Sequence, residues 1–218
     1  MARKRSEFLK GFGKAFEIFK ALTDAVLERG GDDSDVERIL ISKNLRANLA
    51  DLIVGAKNPA LEVWKTIKLG VGLKTVDAFR SDLRVYGFRI SDWARDILGK
   101  PAFSAADKET ELDLVVVSVA ELGFKDGATR KDTYKRAQDI GLELCPAEVG
   151  PQLRLQYADQ PMNEWLRIGM EPITGSDGDL SVFDVGHVGS GLWLIANVGF
   201  PGRFWHADSR WVFVRPRK

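Results

Sequence analysis

The sequence predicts an α+β protein: an N-terminal helical unit, then a mixed middle, then a mainly antiparallel β-rich C-terminal half. Three observations carry this. Phe8, Phe12, Phe16, Phe19, Leu22 and Val26 recur at three- and four-residue spacing, the period of one helix face. The run LDLVVVSVAEL from Leu112 is apolar on both faces, as a central strand is. In the last third, short apolar runs alternate with turn chemistry such as GSDGD and HVGSG, with no helical pattern between them, and that succession favours an antiparallel meander.

Taken in order, the first helix ends at Gly30-Gly31, since glycine closes helices cheaply. Ser34 with Glu37 three residues later forms a capping-box pattern for a second helix, and LRANLADLIVG reads as a third. Residues 1–56 are thus a helical unit. Residues 57–110 form the mixed segment: a strand in EVWKTIKLGVG, a helix in KTVDAFRSDLR, and a short helix in ISDWARDILGKP with Ser91 as N-cap and Gly99 at its end. The polar stretch SAADKETE is the linker to a β-rich domain at 111–218. There, ATRKDTYKRAQDIGL is a helix capped by Thr129, with Asp132 at its third position and Gly141 at its end. Strands are expected near 153–157, 164–171, 180–185, 191–197 and 210–215.

The totals restrict the class. A chain of 218 residues, 44% hydrophobic and 29% charged, builds a core without staples. One cysteine, Cys145, excludes an internal disulfide framework and Cys-rich zinc sites. No stretch has the apolar length of a membrane span, and Lys10, Lys14, Glu17 and Lys20 interrupt any signal-like core. A cytoplasmic protein with no membrane span is expected. The net charge of +1, mildly basic over 57–110 and mildly acidic over 111–159, lacks the polybasic face that phosphate-backbone binding leaves in a sequence.

The run YKRAQDIGLELCPAEVGPQLRLQYADQPMNEWLRIGMEPI, with the ending GLWL…RFWHADSRWVFVR, resembles a C-terminal block of bacterial hypothetical proteins. The resemblance covers about residues 111–218. It implies a bacterial cytoplasmic protein and, since no activity is assigned to that group, transfers no functional residues.

Catalytic templates fail one by one. His187, His206 and Cys145 show no closely spaced ligand pair and no HExxH pattern. No metal and no cofactor are therefore expected. Cys145 sits among apolar residues and two glutamates, the setting of an inert buried thiol. No GxSxG elbow or phosphate loop occurs. A hydrolase with a non-local site around His187 and His206 is one alternative. A nucleic-acid-associated factor is another, using the basic arm Arg3, Lys4, Arg5, Lys10 and Lys14 at the first helix.

The favoured reading is a non-enzymatic binding or interaction protein, its partner an unknown protein or small molecule. Its contact residues are Phe200, Arg203, Phe204, Trp205, His206 and Asp208, because glycine and proline in NVGFPGRFWHADS mark a loop and aromatic and arginine side chains dominate interfaces. Two placements of that loop stand open: displayed to a partner, or folded back over the sheet edge.

Overall fold

The apolar run at 112–117 becomes β3, Thr110–Ser118, and one large sheet is built outward from it. The structure is a computed structural model describing residues 12–43, 45–46, 49 and 62–217. Two compact units divide the chain, Met1–Lys57 and Asn58–Lys218.

In the first unit, α1 covers Phe12–Leu27 and α2 Asp33–Ile41. The cap of α2 falls two residues before the expected Ser34. Asp32 accepts the Ser34 amide and Asp35 closes the box, because an aspartate serves as N-cap as well as a serine does. The expected apolar stripe divides: Leu22 and Val26 are half-buried, while Phe16 and Phe19 are exposed. Phe8 and most of the third expected helix lie outside the described residues, as does the Phe12 side chain.

The second unit contains β1 (Lys65–Leu69), α3 (Val76–Val85), β2 (Arg89–Ile90), α4 (Asp92–Leu98), β3, β4 (Ala128–Thr129), α5 (Arg130–Asp139), α6 (Val149–Gln156), β5 (Trp165–Ile168), β6 (Ile173–Thr174), β7 (Leu180–Val188), β8 (Gly191–Val198), β9 (Phe204–Trp205) and β10 (Arg210–Arg215). The sheet runs β1-β3-β10-β5-β7-β8-β2, with β6 also on β7, while β4 and β9 form a separate pair. All pairs are antiparallel except β10–β5 and β2–β8. β1 and β3, from either side of the polar 104–111 stretch, pair over the whole of β1. The expected segments 57–110 and 111–218 therefore share one sheet.

The strand expected at 153–157 is the helix α6 instead. Leu153 and Leu155 alternate like strand residues, but Val149 and Leu153 form the buried i, i+4 pair of a helix. Pro151 stands in the first turn, where a missing amide costs nothing. α6 packs on β1, β7 and β8, with α3 against α6 and α4 against β8. On β10, alternation directs Val212 and Val214 to one face and Trp211 and Phe213 to the other. Tyr134 of α5 meets Trp211 and Phe213 edge to face, at 5.4 and 5.8 Å between centroids. α5 thus covers one part of the face that carries the site.

No helix among the described residues is long and apolar enough to cross a membrane.

Candidate functional site

The 199–209 loop is fastened at its centre. Trp205 and Phe204 pair with Ala128 and Thr129. The Arg130 amide donates to the Arg203 carbonyl at 2.8 Å and the Lys131 amide to that of Pro201 at 3.0 Å. These open α5, and the first amides of a helix have no partner within it. Thr129 caps α5 as the sequence predicts, accepting the Asp132 amide at 3.2 Å. The expectation that Trp205 is displayed is corrected by this pairing. Neighbouring residues of a strand face opposite sides, so Phe204 points outward (52% exposed) and Trp205 inward (4%). Trp205 packs edge to face on Trp211, 5.4 Å between centroids. Phe200 and Arg203 stay exposed, and the Arg203 guanidinium lies 5.4 Å from the centre of the Trp205 ring.

His206 and Asp208 both line a groove of about 660 Å³, shared with Ser209, Arg210, Trp165 and Arg167. Register places Arg167 here. It lies opposite Asp184 of β7 and beside Trp211 of β10, so the three share one face of the sheet. The Arg167 guanidinium lies 4.2 Å from the Trp205 ring centre, and its Nε is 3.7 Å from Asp184 Oδ2, too far for a hydrogen bond. Arg167 Nε and Asp184 Oδ1 are both buried without a hydrogen-bond partner among the described residues. Burial pushes the Asp184 carboxyl up to about 7, and the nearby Arg167 charge opposes this only in part. Trp165 forms its wall because β7 has Gly186 opposite it; a Cβ there would stand 2.3 Å from the indole. At the rim, Glu164 accepts from Arg210 at 2.6 Å and from the Tyr157 hydroxyl at 2.7 Å.

Chemically, this is a guanidinium stacked on an indole, mostly out of water, at the edge of an open groove. Such a group recognises carboxylate or phosphate through paired donors. His206, Asp208 and Ser209 supply the residue types of a hydrolytic relay, but among the described residues no hydrogen bond joins their side chains. A relay works through those contacts. His187 is not brought to this groove; its Nδ1 lies 2.6 Å from the Gln160 carbonyl.

A second groove, of about 580 Å³, escaped the sequence reading. Arg80 and Arg84 of α3, Arg89 of β2 and Arg95 of α4 line it with Phe88, Ile90 and Trp193. The signal was present: four arginines between positions 80 and 95, two of them at i, i+4 on one helix. It was masked by the aspartates interspersed at 77, 82, 92 and 96, which lower the local net charge without lining the groove.

Cys145 is buried, as expected, and desolvation pushes its thiol above the ordinary range. Among the described residues no three His, Cys, Asp or Glu side chains cluster to hold a metal. Arg3, Lys4, Arg5 and Lys10 lie outside the described residues, as does the Lys14 side chain. No protein-family description, curated protein or solved structure matches the chain.

Proposed function

We propose that the chain is a non-enzymatic binding protein whose second unit takes an anionic group of its partner into the groove beside the 199–209 loop, with Arg167 as the principal contact. The observation that carries this reading is the state of Arg167. Its side chain is 17% exposed, stacked on Trp205, and the Asp184 carboxylate stands 3.7 Å away in a setting that disfavours ionisation. A cation held largely out of water without a hydrogen-bonded counterion is costly, and an incoming anion offsets that cost. Exposed Phe204 and Phe200 offer apolar contact on the same loop. A reducing, cytoplasmic setting fits the single buried thiol of Cys145.

The test is calorimetric titration of the full chain with citrate and with a hexaglutamate peptide. Binding should weaken about tenfold in Arg167→Gln, which removes about 1.4 kcal/mol of contact, and persist in Arg38→Gln, a control on the first unit. No heat from either anion, or equal binding by Arg167→Gln, would sink the reading.

A further inference from the structure

The arginine groove makes no contribution to the reading above, and its composition is hard to explain by folding. Arg80 and Arg84 sit one turn apart on α3, and like charges at that spacing destabilise a helix. Arg84 and Arg89 make no ion pair or side-chain hydrogen bond among the described residues. Arg80 and Arg95 do pair, with Asp77 at 3.2 Å and Asp92 at 3.3 Å, and Arg80 also donates to the Arg95 carbonyl at 2.9 Å, so the arginines of the groove without such ties among the described residues are Arg84 and Arg89. Those carboxylates are 91% and 96% exposed, however, and neither lines the groove. Exposed pairs of that kind hold an arginine only weakly. Among the described residues, four arginines and no carboxylate line the groove. One polar atom there, Arg80 Nε, is buried with no hydrogen-bond partner among the described residues. Where a sequence breaks local rules without a structural return, function is the usual reason.

The apolar side of the groove is pre-arranged. Strand pairing sets Arg89 opposite Trp193, and its guanidinium lies 5.5 Å from the indole centre. The Trp193 ring is fixed by its Nε1 donating to Ser190 Oγ at 3.0 Å. Phe88 also borders the groove, but its ring is already engaged, stacked with Tyr86 at an interplanar angle of 29° and with the Arg154 guanidinium 5.1 Å from its centre. Planar arginine forks match phosphate oxygens, and flat rings stack on aromatic or guanidinium faces. A volume of about 580 Å³ lies within the range of small-ligand sites.

We propose that this groove binds a nucleoside phosphate, its phosphates among Arg80, Arg84, Arg89 and Arg95 and its base against the Trp193 indole. Neither half of the groove explains the ligand alone. Inorganic phosphate would leave the indole idle, and an uncharged flat molecule would leave the guanidiniums unanswered.

The experiment titrates the full chain with ATP, AMP, inorganic phosphate and a short oligothymidylate, at low and at raised salt. ATP should bind more tightly than AMP. Inorganic phosphate should bind at least about tenfold more weakly than ATP, and raised salt should weaken every anion. Arg84→Gln with Arg89→Gln should reduce ATP affinity about tenfold or more without lowering the melting temperature, since both side chains are exposed. Trp193→Leu should reduce the preference for ATP over inorganic phosphate. Should the double variant unfold, the single Arg84→Gln change decides instead. The proposal is overturned by ATP binding no tighter than inorganic phosphate, by ATP affinity indifferent to Arg84 and Arg89, or by oligothymidylate binding without ATP binding.

Discussion

The Arg167 guanidinium stands 4.2 Å from the centre of the Trp205 ring, and that contact joins the last loop to the middle of the sheet. Trp205 in turn meets Trp211 edge to face, and Trp211 meets Tyr134 of α5 in the same way. A row of aromatic contacts therefore runs from the groove into the core. The loop has two parts with different duties: Trp205 belongs to the packing, while His206 and Asp208 belong to the groove.

Trp205→Ala should be severely destabilising and Phe204→Ala nearly neutral, although the two are neighbours. Emptying the Trp205 position removes a large buried ring and costs about 3–5 kcal/mol. Phe204 is exposed, and its loss should cost about 1 kcal/mol or less. Urea denaturation of both variants separates the two cases. Equal midpoints would contradict the inward placement of Trp205.

Asp184→Asn should remove a pH dependence of stability. Burial raises the folded-state pKa of Asp184 from the usual 3.8 to about 7. Between those values the unfolded chain has released the proton while the folded chain retains it, so stability falls as pH rises through that window. It levels off above the folded value. At about 1.4 kcal/mol per unit, the penalty at neutral pH is of the order of a few kcal/mol. The asparagine variant should match the parent near pH 4 and exceed it at pH 8. Parallel stability curves for the two proteins would refute this.

Much of this architecture is legible in the chain. Thr75, Ser91 and Thr129 each cap the helix that follows by accepting an amide of its first turn, because capping is local chemistry. The strands at 110–118, 180–188, 191–198 and 210–215 follow their apolar runs for a similar reason. The misreadings share a non-local cause. Arg154 in QLRLQ looks like an outward strand residue, yet it is fully buried, with its terminal nitrogens bonded to the Tyr157 carbonyl and the Gln160 side chain. Trp205 was legible as an aromatic but not as an inward one, since only pairing with Ala128 sets its side. Arg167 and Asp184 carry no motif, and strand register alone makes them neighbours.

Glu148→Ala should loosen two separate loops together. One carboxylate oxygen accepts the Gly70 amide at 2.9 Å and the other the Ala106 amide at 2.6 Å. The Glu148 side chain is buried, so truncation strands both amides at about 1–3 kcal/mol each. Hydrogen exchange should accelerate at Gly70 and Ala106 together, with less change in the β7–β8 hairpin. Unchanged protection at both amides would show that the carboxylate does not hold them.

Gly186→Ala tests whether the groove depends on the seating of its Trp165 wall. Gly186 is opposite Trp165, and a Cβ would approach the indole to 2.3 Å, so the ring must move. Alanine carries no backbone penalty here, because Gly186 is not among the glycines of positive φ; the whole effect is steric. Overpacking of this kind costs about 1–3 kcal/mol. Since Trp165 also walls the groove, near-ultraviolet circular dichroism and anion titration should change along with stability. Adding Trp165→Leu to Gly186→Ala should recover part of the stability, because the smaller side chain relieves the overlap, and the two changes should be non-additive by about 0.5–3 kcal/mol. Strict additivity would mean that the glycine and the indole do not share this space.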